Sequence, residues 1–148
     1  MEKIEYQINQ SSYDDIYDHL IACDVYFVPR LSEKVAIDIY SKKIIDNAIR
    51  IEAWENNVLV GLIAFYSNKE NSFAYITNVS VLNEFKGIGI AKKLMQETIN
   101  EVQKIKFKTI QLEVNKSNSK AISLYKLLDF EIDDENQDNY LMKKNIIK

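Results

Sequence analysis

The sequence predicts an α/β domain, α+β in the arrangement of its strands, spanning 1–148, and three observations carry that expectation. Segments of strand periodicity and of helical periodicity follow one another in the order β-α-α-β-β-β-α-β-α-β-β. Two of only three glycines, Gly87 and Gly89, fall together between a strand-like run and a helix-like run. A chain of 148 residues with 47% hydrophobic and 28% charged content has the size and composition of one domain with a buried core.

Each element has its own signal. Lys3 to Ile8 reads as a first strand. Ser12 offers an N-cap with Asp15 three residues on, and Ile16, Leu20 and Ile21 mark one helical face. His19 is expected on the surface of that helix and Cys23 as a small buried residue. Val25 to Ser32 holds the one proline and reads as an ordered loop. Val35, Ile39, Ile44 and Ile45 suggest a second helix over Glu33 to Asn47. Ile49 to Trp54 and Val58 to Tyr66 read as strands joined at Asn56-Asn57, a favourable hairpin pair. Asn68 to Asn71 forms a turn before the strand Phe73 to Leu82. Ile90 to Val102 has helical spacing, with its end near Lys104 to Lys106. Thr109 to Val114 is the next strand, a helix starts near Asn118, and Phe130 to Ile132 and Tyr140 to Met142 are short late strands.

The strand, glycine turn and helix start around Lys86 to Ala91 leave backbone N–H groups without intrahelical partners, at the positive end of a helix dipole. Such a place suits a phosphate or pyrophosphate. Glycine lets the anion approach the backbone closely. The dinucleotide fingerprint G-x-G-x-x-G fails, because Lys92 stands at its third glycine, and the P-loop pattern G-x-x-x-x-G-K-S/T has no match. The run Lys86-Gly87-Ile88-Gly89-Ile90-Ala91 instead fits Q/R-x-x-G-x-G/A and resembles the acetyl-CoA pyrophosphate loop of the GNAT superfamily of N-acetyltransferases. Lys86 stands where that family usually has Gln or Arg.

A second motif agrees. Asn118, Ala121, Tyr125 and Phe130 are in register with the family signature N-x-x-A-x-x-x-Y-x-x-x-G-F. Asp129 takes the place of its glycine, and a slightly altered helix exit is expected there. The segment from Leu112-Glu113-Val114 to Tyr125 is similar to that of ribosomal-protein N-terminal alanine acetyltransferases.

The resemblance implies a GNAT fold: a mixed, largely antiparallel sheet with helices on both faces, splayed between Phe73–Leu82 and Thr109–Val114. It implies acetyl-CoA as co-substrate and transfer of the acetyl group to a primary amine by direct attack. The acceptor is a small molecule, an amino sugar or a peptide or protein N-terminus. Lys86, Gly87, Ile88, Gly89, Ile90, Ala91 and Asn118 would hold the cofactor, with backbone groups of Val79 and Val81 pairing with the pantetheine arm. Backbone N–H near Val79 would stabilise the oxyanion. Tyr125 resembles the general acid for the departing thiolate, since a phenol of ordinary pKa ~10 can hand over a proton. Glu113 stands where a base serves in the alanine acetyltransferases; an ordered water held by Asn78 or Ser80 is the alternative route. Phe27 and Arg30, with Tyr26 and Pro29, are candidates for contact with the acceptor.

Composition limits the other classes. One cysteine leaves no internal disulfide and one histidine argues against a histidine-rich metal site; no metal is expected. No apolar run approaches the ~20 residues that span a bilayer, and Met1 to Glu5 is not a signal peptide, so a cytoplasmic protein without membrane association is expected. The net charge of −3 gives no reason to expect nucleic acid as a partner. A homodimer stays open. The alternative reading is a non-catalytic acyl-CoA-binding sensor or assembly module, against which Tyr125 argues, because a binder needs no leaving-group acid.

Overall fold

The structure is a computed structural model and describes residues 3–146. In chain order the elements are β1 (Glu5–Ile8), α1 (Tyr13–Cys23), α2 (Leu31–Lys34), α3 (Ile37–Asn47), β2 (Ile49–Glu55), β3 (Val58–Asn68), β4 (Phe73–Val81), α4 (Ile90–Lys104), β5 (Thr109–Asn115), α5 (Ser119–Leu127), β6 (Glu131–Glu135) and β7 (Asn139–Asn145). The strands form one sheet in the order β1-β2-β3-β4-β5-β7-β6, in which only β4 and β5 run parallel.

Two apolar layers cover the sheet. On one face Ile90, Leu94, Met95 and Val102 of α4 and Tyr125 of α5 pack on Ile51, Ile63, Phe65, Ile76, Ile110, Leu112 and Met142. On the other, Ile16 and Leu20 of α1 and Ile37 and Ile44 of α3 pack on Leu59, Leu62 and Ala64. The second layer holds no residue of β5, β6 or β7, so the two halves of the sheet share a core on the α4 face alone. Gly61 lets α4 settle on β3: a β-carbon there would stand 2.9 Å from Leu94 Cδ1 and 3.0 Å from Ile90 Cγ2.

Local chemistry explains the connections. Ser12 caps α1 by accepting from the Asp15 N–H at 3.1 Å, while Asp15 accepts from the Ser12 N–H at 2.9 Å. The β1–α1 connection is anchored on Glu52, which is 0% exposed yet accepts from the Gln10 and Ser11 backbone, the Ser11 hydroxyl and Trp54 Nε1, with Arg50 Nε 3.4 Å away. A buried carboxylate is tolerable only when so fully partnered. Asn56 and Asn57 turn the β2–β3 hairpin with φ of 48° and 64°, as their pairing predicts.

Several expectations are corrected. The helix predicted over Glu33 to Asn47 is two helices, because Val35 is extended (φ −142°, ψ 157°) and breaks the turn. Ile39, one of the residues whose spacing suggests that helix, is exposed, and Ile37, Ser41 and Ile44 face inward. His19 is not on the surface: it is 3% exposed, on the same stripe as Ile16, Leu20 and Cys23. The exit of α5 is not altered. Asp129 takes φ 69°, the Phe130 N–H donates to the Tyr125 carbonyl at 2.9 Å, and the Asp129 N–H donates to the Lys126 carbonyl at 3.0 Å. This is a complete Schellman exit, with the Phe130 ring 5.9 Å from that of Tyr125.

An L-residue held at positive φ is strained. Asp129→Gly is therefore expected to stabilise the fold by about 0.5–1 kcal/mol, the strain relieved less the greater chain entropy of glycine. Thermal unfolding would show this as a higher Tm. A lower Tm would mean that the Asp129 side chain holds the exit through contacts of its own.

Candidate active site

The site begins where the sheet parts. β4 and β5 pair only from Phe73↔Thr109 to Ile76↔Leu112. Beyond Ile76, β4 stays bonded to β3 and β5 stays bonded to β7, so the backbone groups that face one another across the gap have no partner strand. A bulge at the parting point sets the chemistry of the two faces. Ala64 pairs with Asn78 and Phe65 with Ile76, which leaves Thr77 as an extra residue. The alternation therefore resets. Val79 and Val81 join Ile76 on the α4 face, while Asn78 and Ser80, both nearly buried, turn to the face of α1 and α3. Thr77 itself is held by the Tyr40 hydroxyl, which donates to its carbonyl at 2.7 Å.

This gap opens into a cleft of about 720 Å³. Its walls carry Phe27 from the α1–α2 loop, Val79 and Val81 from β4, Lys86, Gly87 and Ala91 from the loop and first turn of α4, Glu113 from β5, and Asn118 and Tyr125 from α5. Ile88, Gly89 and Ile90 belong to the same turn but do not line the cleft: the Ile88 side chain is exposed and Ile90 is in the core. Arg30 is also outside it. Its guanidinium, half exposed, bonds the Asp24 carboxylate at 3.2 Å. Asp24 further accepts from the Ser32 N–H at 2.7 Å and the Ser32 hydroxyl at 2.8 Å. The backbone N–H of Ser32, followed by the Ser32 hydroxyl and Arg30, holds this carboxyl below the ordinary range despite the opposing effect of burial. Arg30 thus braces the loop that carries Phe27.

The turn before α4 fits an anion. Gly87 and Gly89 have φ of 83° and 89°, and a β-carbon at either would meet nothing within 4 Å. Glycine is thus demanded by the left-handed backbone, and the space above it is open. Gly89 caps α4 without a side-chain bond, and the first intrahelical bond runs from Lys93 to Gly89. The N–H groups of Ile90, Ala91 and Lys92 are left free for a ligand. Lys86 Nζ lies 4.6 Å above the Tyr26 ring, which ties this turn to the α1–α2 loop.

Tyr125 and Glu113 stand on opposite faces of the gap. Tyr125 is almost buried, and its hydroxyl makes no hydrogen bond among the described residues; burial pushes its pKa up, so it stays a phenol across the working range. Glu113 lies between the core residues Leu112 and Val114 and so projects to the other face, exposed, with Tyr75 close enough for its charge to act on that phenol. Asn118 caps α5 by accepting from the Ala121 N–H at 3.3 Å, leaving its NH₂ group for the cleft.

Sequence reasoning missed Cys23, Leu31, Lys34, Asn115, Lys120 and Asn139 as lining residues. Cys23 and His19 could have been found from the i, i+3, i+4, i+7 spacing from Ile16. The others carry no local signal. Among the described residues no group of three or more His, Cys, Asp or Glu side chains could hold a metal ion, and no helix is long and apolar enough to cross a membrane.

Comparison with known proteins agrees with this geometry. The model of the acetyltransferase (GNAT) family matches residues 13–130. An N-acetyltransferase of Bacillus subtilis named YvbK, itself uncharacterized, is 23% identical over 145 residues, covering 95% of this chain and 83% of its own. Among solved structures, a Bacillus subtilis acetyltransferase in complex with CoA superposes with a TM-score of 0.76 at 19% identity, over 98% of this chain and 100% of that one. The ribosomal-protein-S18-alanine N-acetyltransferase of Escherichia coli superposes with a TM-score of 0.74 at 18% identity, over 99% of this chain and 94% of that one. With a family model matched from α1 through Phe130, and with the parted sheet, the glycine turn and the α5 tyrosine in one cleft, the chain belongs to the GNAT family of acetyltransferases.

Proposed function

We propose that this chain, acting as one domain, transfers an acetyl group from acetyl-CoA to a primary amine on a small molecule, an amino sugar or a peptide N-terminus. The observation that carries the reading is the meeting of three features in one cleft: unpaired β4 backbone, a helix N-terminus with free N–H groups, and the Tyr125 phenol. The bound thioester supplies an activated acyl carbon and a thiolate leaving group. The backbone of Lys86 to Ala91 holds the pyrophosphate, the Asn118 NH₂ group adds a donor, and Val79 and Val81 offer strand-like bonds to the pantetheine amides. The Val79 N–H stabilises the oxyanion, a contribution of roughly 3 kcal/mol for such a donor. Tyr125 gives its proton to the departing sulfur. Glu113, on the other side of the gap, accepts a proton from the incoming ammonium, and Phe27 with Tyr26 and Pro29 contacts the acceptor.

Release of free thiol from acetyl-CoA in the presence of amines tests this reading. The likeness to the alanine acetyltransferase makes a peptide with an N-terminal alanine the first acceptor to try, beside polyamines and amino sugars. Thiol release that depends on the amine is expected; acetyl-CoA binding without turnover of any amine would leave a binding protein. Glu113→Gln is expected to displace the acidic limb of the kcat/KM profile. Its loss should recover at high pH, where the amine is already free. A profile that overlays the parent enzyme would remove Glu113 from proton transfer.

A further inference from the structure

Ser80 and His19 form a polar pair to which the reaction proposed above, with Glu113 as its base, assigns no step. Ser80 lines the cleft just past the parting of the strands. His19 lies behind it on α1, its Nδ1 2.9 Å from the Leu59 carbonyl and its Nε2 2.9 Å from Ser80 Oγ. A carbonyl only accepts, so Nδ1 carries a hydrogen. Burial lowers the ring's pKa to about 4, which leaves Nε2 a bare lone pair at neutral pH. Its other neighbour, Cys23 Sγ, is 3.7 Å away, and burial pushes that thiol up to about 11, so it remains a weak donor. The ring is thus faced by Cys23 from its own helix, by Leu59 from β3 and by Ser80 from β4. The charges of Lys86 and Glu84 act on Cys23.

The single hydrogen of Ser80 has two acceptors within reach, His19 Nε2 at 2.9 Å and Asn78 Oδ1 at 2.7 Å. Each placement satisfies a different protonation state of the ring without moving a heavy atom. With His19 neutral, Ser80 donates to Nε2. With His19 protonated, Nε2–H donates to Ser80 Oγ, Nδ1–H donates to Leu59, and Ser80 donates to Asn78 Oδ1. The charged state is therefore fully hydrogen-bonded inside a buried site, which is the condition for forming it at all.

We propose that Ser80 and His19 relay the second proton lost by the acceptor nitrogen during acetyl transfer. The inference rests on the proposed reaction and assigns a step that Glu113 does not perform. Glu113 takes the first proton, from the ammonium. The freed lone pair then bonds to the acyl carbon, and the nitrogen becomes cationic. That nitrogen passes a proton to Ser80 Oγ as the hydroxyl proton of Ser80 moves to His19 Nε2. The carbon–sulfur bond breaks, and the sulfur takes the proton of Tyr125. Two protons have left the nitrogen and one has gone to sulfur, so once Tyr125 is reprotonated from water one proton is released overall. A weakly basic imidazole suits this step. A cationic nitrogen on a carbon bearing oxygen and sulfur is far more acidic than an alkyl ammonium, and His19 must return the proton quickly through Ser80. Ser80 is the group that touches the substrate, and His19 acts through it.

His19 is the one histidine of the chain, so ¹⁵N-histidine labelling reads its state without overlap. At pH 7 the Nδ1–H tautomer with unprotonated Nε2 is expected; the opposite tautomer would overturn the relay. Kinetics supply the second reading, with saturating acetyl-CoA and an amine that the parent enzyme turns over. Ser80→Ala is expected to lower kcat by about 10²-fold, the lower range for general acid–base steps, with the KM for acetyl-CoA unchanged. Ser80→Thr keeps a hydroxyl and should retain most of the rate. A folded Ser80→Ala enzyme with parental kcat would overturn the relay and leave acetyl transfer standing. Absence of turnover in the parent enzyme itself would instead overturn the reaction on which the relay rests.

Discussion

Tyr125→Phe is expected to lower kcat by about 10²-fold, a loss of roughly 2.7 kcal/mol in transition-state stabilisation, while acetyl-CoA affinity and Tm change little. The substitution removes one oxygen and almost no volume. The ring still packs against Phe130, and the hydroxyl has no partner among the described residues that would be left unsatisfied. Stability and chemistry are thus separable at this position. Because burial raises the phenol's pKa, the parent enzyme should show no basic limb from Tyr125 ionisation between neutral pH and ~10, the ordinary phenol value. Single-turnover measurements with an amine that the parent enzyme turns over isolate the chemical step. An unchanged chemical rate would make Tyr125 a packing residue.

The second large effect is expected at the turn before α4. Gly89→Val should weaken acetyl-CoA binding by at least ~10-fold, for two reasons that act together. The valine occupies the open space above the free N–H groups, and it must also adopt φ near 89°, which costs an L-residue about 1–2 kcal/mol. Gly89→Asn separates them, since asparagine accepts left-handed backbone more readily yet still fills the space. Calorimetry with acetyl-CoA should find both variants weak, with only the valine variant less stable. Unaltered affinity in a folded Gly89→Asn protein would take this turn out of the site. Lys86→Ala should matter less, because the backbone donors survive it.

What the sequence reveals follows from the range over which each signal acts. The capping box at Ser12, the Asn56-Asn57 turn, the glycine turn and the α5 motif are each written within a few residues, and each is legible. The exit of α5 escapes a reading that weighs the Asp129 substitution alone; the Phe130–Tyr125 packing that holds the turn together depends on the folded exit. The break inside Glu33 to Asn47 is hidden because Val35 and Ile39 fall at helical spacing although Val35 is extended. The bulge at Thr77 has no local signature at all. Simple alternation from Ala74 and Ile76 would send Asn78 and Ser80 into the α4 core and the valines out. The Ser80–His19 bond joins residues 61 apart, beyond any pattern in one strand or helix.

The short parallel seam between β4 and β5 has a thermodynamic consequence. Four residue pairs and the α4 layer hold two plates of sheet together, and the α1 layer does not cross between them. Such a joint is a natural hinge, and opening it costs less than unfolding either plate. A pantetheine arm laid along the gap would act as the missing strand and close the hinge. Its binding energy then becomes part of the stability of the fold, about 2.7 kcal/mol when the ligand stands at ~100 times its Kd. On the proposed function, the lifetime of this protein in a cell would rise and fall with the acetyl-CoA supply.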